Sequence, residues 1–188
     1  MHCLHFSEVT KQYLSRFYEI LDTMICGMTQ AELTQSISHN FIVQMIPHHE
    51  AAIRMSQNIL QYTTLVPLQN IAQNIVEMQT KSIAYMQDAL KSCSDLVNTQ
   101  EDLRLYQICF HQISETMFCK MQNARSTNQI NANFMREMIP HHEGAIQMSG
   151  NALRYPICSE LKPILEEIIS SQERGVLEMR RLLCRIPA

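Results

Sequence analysis

Two adjacent histidines, preceded by Met-Ile-Pro and followed by Glu, occur twice in this chain, as His48-His49 and His141-His142. Neutral imidazole is a ligand for copper, zinc and iron, and Met45, Met55, Met138 and Met148 bring thioether sulfur to the same stretches. Together they suit a soft cation. Thioether and imidazole bind Mg²⁺ and Ca²⁺ poorly, and thioether-rich sets favour Cu⁺ or its analogue Ag⁺. Zinc is disfavoured, because it would be better served by paired thiolates and the chain has no Cys-x-x-Cys.

The recurrence extends well beyond the histidines. Residues 41–60 match residues 134–153 at 13 of 20 positions with a shift of 93. The same shift pairs Tyr13, Phe17, Ile20, Met24 and Met28 with Tyr106, Phe110, Ile113, Met117 and Met121. It also pairs Leu68, Ile71, Ile75, Gln79 and Met86 with Leu161, Ile164, Ile168, Gln172 and Met179. The chain is a tandem duplication of one unit, with halves at 1–94 and 95–188. The Met-Ile-Pro-His-His-Glu string survives intact while its flanks diverge, and packing alone rarely demands two adjacent histidines twice.

Apolar spacing assigns three helices to each unit. On the first, Tyr13, Phe17, Ile20, Met24 and Met28 form one stripe; Cys26 falls about 200° from Met24 at about 100° per residue, so it cannot join those methionines in a site. The second begins near Ser38 or Asn40 and ends about Leu60, with Pro47 inside it, which predicts a kink and a freed Val43 carbonyl. The third begins near Pro67. The second unit repeats these near residues 100–123, 130–154 and 159–184. The expected fold is an all-α bundle of about six helices in which two thin units share their inner faces as one body, 1–188, jointed at the polar stretch from Asp95 to Asp102.

On the second helix Phe41, Met45, His48, Ala52, Met55 and Ile59 share a face, with His49 at its edge. Adjacent residues diverge by about 100°, so His48 and His49 cannot both grip one ion without ligands from another helix. Met86 and Met179 on the third helices, and Met24, Met28, Met117 and Met121 on the first, point into the same core. Gln79 and Gln172 also fall on inner stripes, where an unpaired amide costs about 1–3 kcal/mol. Either an imidazole N–H or a backbone carbonyl could satisfy them; the first would fix which ring nitrogen faces a metal. Any one inward Met is more often core filler than ligand. Glu50 and Glu143 face the other way, as solvated groups or ion-pair partners. His2, His5, His39 and His111 have no counterparts in the other half, and Cys3, Cys93, Cys109, Cys158 and Cys184 show no site geometry.

Composition narrows the partners. A formal charge of −3 with no run of either sign speaks against nucleic acid and anionic lipid, and no apolar stretch is long enough to cross a membrane. An odd count of 7 Cys and no apolar leader favour reduced thiols in a cytoplasmic setting. The chain has no Ser-His-Asp or Cys-His pattern in context and no Gly-rich phosphate loop, so it does not read as an enzyme. A homodimer is left open.

Two Met-Ile-Pro-His-His-Glu helices, each followed by a Gln-x₆-Met helix (Gln79 to Met86, Gln172 to Met179), resemble the ferritin-like domain of unknown function 305 family, which includes the CopM-type copper-binding proteins. The resemblance covers nearly the whole chain. It implies a ferritin-like bundle that binds copper or silver for metal tolerance or delivery, in relatives that are often exported. By position it implies Met45, His48, His49, Met55 and Met86 as ligands, with Met138, His141, His142, Met148 and Met179 in the other copy. The alternatives are a di-iron oxidoreductase, although no Glu-x-x-His lies near either pair, and a metal-free helical scaffold. Histidine ligation is expected to fade below about pH 6, the range of an ordinary imidazole.

Overall fold

The computed structural model describes residues 5–93 and 96–186. His2, Cys3, Asp95 and the boundary between the halves lie outside the described residues. Six helices follow in order: α1 (Glu8–Thr29), α2 (Ile37–Leu60), α3 (Val66–Ser92), α4 (Gln100–Gln122), α5 (Ile130–Ala152) and α6 (Leu161–Leu183). The chain is an all-α bundle.

Each start has a local cause. Ser7 and Thr99 cap α1 and α4 by accepting from the Thr10 and Asp102 amides, with acidic residues in the first turns. Pro67 occupies the first turn of α3, where its missing N–H costs nothing. The cap of α2 is Ser36, ahead of the expected Ser38 or Asn40. Asn40 is spent differently: its Oδ1 accepts from the Thr34 amide at 2.7 Å, and Asn133 does the same for Thr127 at 2.9 Å. Both α2 and α5 run through their internal prolines, and Pro47 lies against Gly27, where an added Cβ would stand 2.7 Å from the proline Cβ.

Helices α2, α3, α6 and α5 close a ring by contacts α2–α3, α3–α6, α6–α5 and α5–α2. Helix α1 packs on α2, and α4 on α5. Asn58 and Asn151 tie these outer helices down by donating to the backbone carbonyls of Tyr13 and Tyr106, at 3.2 and 3.0 Å. One apolar cluster draws on all six helices, so the two halves share a core. The joint is shorter than expected, because α4 already includes residues 100–102. Asn98 anchors it, accepting from the Ile37 amide at 2.8 Å and donating to the Pro156 carbonyl at 2.7 Å.

The thiols depart from expectation. Cys93, at the end of α3, and Cys158, ahead of α6, form a disulfide between the halves, with Cα atoms 5.6 Å apart. Spacing could not reveal this, since 65 residues separate them and only the return of the chain brings them together. The Ser38 hydroxyl holds the Cys158 amide at 2.9 Å. Reduced thiols were the basis for a cytoplasmic setting, and for this pair that basis is gone. No described helix is long and apolar enough to cross a membrane.

Candidate histidine–methionine site

The four motif histidines lie in the interior, none more than 2% exposed. Helices α2 and α5 meet at them: the His48 and His141 rings stack with centroids 3.7 Å apart. Each stacked ring has its chain neighbour 5.8 or 5.9 Å away, so the four form a row from His49 through His48 and His141 to His142. His141 Nε2 donates to the His48 carbonyl at 3.1 Å, which places its proton on Nε2 and leaves the Nδ1 lone pair unpaired. His49 Nε2 meets the Ser82 hydroxyl at 3.1 Å. Nδ1 of all four rings, and Nε2 of His48, have no hydrogen-bond partner.

Such groups stay uncharged. Burial pushes His49 down to about 3 and His141 down to about 4, and holds His48 and His142 well below the usual imidazole range, with neighbouring rings adding to the effect for His48, His49 and His142. The fading of histidine ligation expected near pH 6 therefore moves to lower pH.

Met45, Met55, Met86, Met138, Met148 and Met179 are all buried, as are Met24, Met28, Met117 and Met121. The Ser114 hydroxyl donates to the Phe110 carbonyl at 2.8 Å and lies 3.7 Å from the Met148 sulfur. Met117 lies over Gly144, where an added Cβ would collide with it; the residue at the corresponding position of the first half is Ala51. Among the described residues, three His, Cys, Asp or Glu donor atoms come within 4.8 Å of one another in a single group, Cys93, Cys158 and Glu160, whose sulfurs are joined. The histidine row thus brings fewer than three such donors to any one point. Fewer than three imidazoles do not by themselves complete a zinc or iron centre.

The expected bond from Gln79 or Gln172 to an imidazole is absent. Gln79 is buried with both amide atoms unpaired, and the Gln172 carbonyl is unpaired as well. Ser82, which sequence reasoning missed, takes the position beside His49; its counterpart is Gly175, so the repeat offered no matching pair to notice. Both glutamines line two cavities between α3 and α6 that correspond under the 93-residue shift, one reaching His49 and one reaching His142. Glu50 is exposed, and Glu143 pairs with Arg180 and Lys120, as expected for outward groups.

Glu137 is the single buried acid among the described residues. Tyr13 donates to it at 2.5 Å, and burial raises its carboxyl to about 8 despite that bond. The matching pair, Tyr106 and Gln44, is not made: Gln44 donates to the Met28 carbonyl at 3.3 Å, and the Tyr106 hydroxyl is unpaired. A carboxyl raised in the folded state stabilises fully below about pH 4.5 and loses that contribution as pH rises toward 8. At pH 7 the shift costs about 3 kcal/mol, at 1.36 kcal/mol per unit. Glu137→Gln keeps an acceptor for Tyr13 and removes this cost, so calorimetry at pH 7 should show a higher thermal midpoint, with the gain vanishing near pH 4.5. A lower midpoint at pH 7 would mean that the carboxyl itself is needed.

A bundle of two three-helix units, each bearing a buried Met-Ile-Pro-His-His-Glu helix, defines the class. The sequence matches the family described as Domain of unknown function (DUF305) over residues 21–90 and 107–183, and the chain belongs to that family. The crystal structure of a DUF305 fragment from Deinococcus radiodurans is similar, with a TM-score of 0.57 and 21% identity over 80% of this chain and 97% of that one. Identity at that level speaks for the fold alone. No curated protein matches the chain.

Proposed function

We propose that this protein binds a soft monovalent cation, copper(I) or its analogue silver(I), in metal homeostasis or tolerance. The observation that carries the reading is the row of four buried, uncharged imidazoles, each with an unpaired Nδ1, in a core rich in buried methionine. A buried unpaired ring nitrogen costs about 1–3 kcal/mol, and a cation on its lone pair removes that cost. Soft monovalent ions accept few ligands and tolerate thioether, which is what the row and its surroundings offer. Because the rings are already neutral, binding displaces no proton from His49 or His141 at ordinary pH. The reading names Met45, His48, His49, Met55 and Met86, with Met138, His141, His142, Met148 and Met179, as the pool from which ligands come. A di-iron centre of the ferritin-like kind lacks carboxylates here, since Glu137 is committed to Tyr13. The Cys93–Cys158 disulfide supports an oxidising compartment for this work.

The test is titration of chelator-stripped protein with Ag⁺, and with Cu⁺ without oxygen, against a competing chelator. Wild type should retain metal. The variant with His48, His49, His141 and His142 changed to Gln should bind at least about tenfold more weakly, about 1.4 kcal/mol. Met45→Leu with Met138→Leu, which preserves core volume, should weaken binding in a fold that circular dichroism finds intact. Equal retention by both variants would overturn the reading.

A further inference from the structure

The two halves present their histidines to unlike cavities. The first, between α3 and α6, has a volume of about 230 Å³ and is lined by His49, Met78, Gln79, Ser82, Ser171 and Gln172 among others. Its counterpart, at His142, is lined by Met78, Gln79, Ser171, Gln172 and Gly175 and holds about 20 Å³. The cause of the difference is local. Ser82 stands beside the His49 ring and bonds it. At the matching Gly175 there is no side chain, and the His142 ring has moved into that room: an added Cβ would stand 2.8 Å from its Cδ2. A cavity needs about 10–15 Å³ for one water, so the second admits one at most, whereas the first can admit an ion that still carries water.

Three further features converge on the larger cavity. The Gln79 amide, buried and unpaired at both atoms, lines it, as does the unpaired Gln172 carbonyl. Ser82 fixes the His49 ring, and when Nε2 donates to that hydroxyl, Nδ1 is left as a lone pair. Met78, half-buried, adds a thioether that the repeat does not supply twice, since its counterpart is Ser171. We propose that the two histidine pairs are not equivalent: the soft cation enters through the α3/α6 cavity and is held first at His49, with the thioether of Met78 as an additional ligand. This rests on the soft-metal reading above and adds the order of loading and the residue that sets it. The glutamine amides can pair with the waters the ion sheds, and His142 is reached later, from within the row.

The experiment is addition of silver nitrate to the full, metal-free chain, followed through ¹H–¹⁵N correlations of the imidazole rings. Below one equivalent the His49 ring nitrogens should shift while those of His142 stay in place. Met78→Leu, of similar volume, should weaken the first equivalent about tenfold, or 1.4 kcal/mol, and leave the later His142 response where it was. If His142 responds first, if both respond together, or if Met78→Leu binds as wild type does, the non-equivalence is overturned and the soft-metal reading stands. If no imidazole responds to Ag⁺, both fall.

Discussion

Lowering the pH of the metal-free protein from 7 to 5 is expected to remove several kcal/mol of its stability. The sign follows from the direction of the shifts. In the unfolded chain each histidine takes a proton near pH 6.5, whereas in the bundle His49 waits until about 3, His141 until about 4, and His48 and His142 are likewise held well below the usual range. Between those limits the unfolded state binds more protons, so stability falls as pH falls. At pH 5 His49 and His141 cost about 2 kcal/mol each, and His48 and His142 act in the same direction. Glu137 works against this in part: its cost of about 3 kcal/mol at pH 7 shrinks to about 1 at pH 5. The midpoint of a domain this size moves roughly 2–4 °C per kcal/mol, so calorimetry should find it lower at pH 5 by several degrees. A midpoint that is the same at both values would show that the rings do not titrate as buried groups. Saturation with Ag⁺ should flatten the slope, because a metal-bound nitrogen cannot take a proton.

Reduction of the Cys93–Cys158 bridge should have the next largest effect. Closing a loop of 65 residues restrains the unfolded chain by roughly 4 kcal/mol on the chain-entropy account, and that restraint disappears with the bond. A thermal scan with and without a phosphine reductant should differ by roughly 8–16 °C, and Cys93→Ser with Cys158→Ser should match the reduced protein. The folded arrangement should persist at low temperature, since Ser38 and Asn98 hold the Cys158 segment through separate hydrogen bonds. Thiol titration of the unfolded protein should find two fewer thiols before reduction than after it. Finding equal numbers, or no shift on reduction, would mean that the bond does not form.

Much of the fold was legible. A stripe such as Tyr13, Phe17, Ile20, Met24 and Met28 reports a helix and its buried face because both follow from spacing along a single element, and all five are buried. The exposure of Cys26, opposite that stripe, was readable for the same reason. The starts were less legible: Ser36, Ser38 and Asn40 are all competent caps, and the choice depended on Asn40 being drawn to the Thr34 amide. Of the site, the sequence marked the histidines and the methionines around them. It did not mark Ser82, Met78 or the cavity, because the repeat highlights what the halves share and these are places where they differ.

Duplication and helical period by themselves determined six helices, two matched units, and an inward face carrying His48, His141 and the motif methionines, since each of these is a property of one helix at a time. Which helices meet was decided only in three dimensions. The stack of His48 on His141, the joining of Cys93 to Cys158 and the unequal cavities all depend on how α2 meets α5 and α3 meets α6. Contacts between helices are set by the packing of both surfaces together, and no periodicity within one segment records where another will lie.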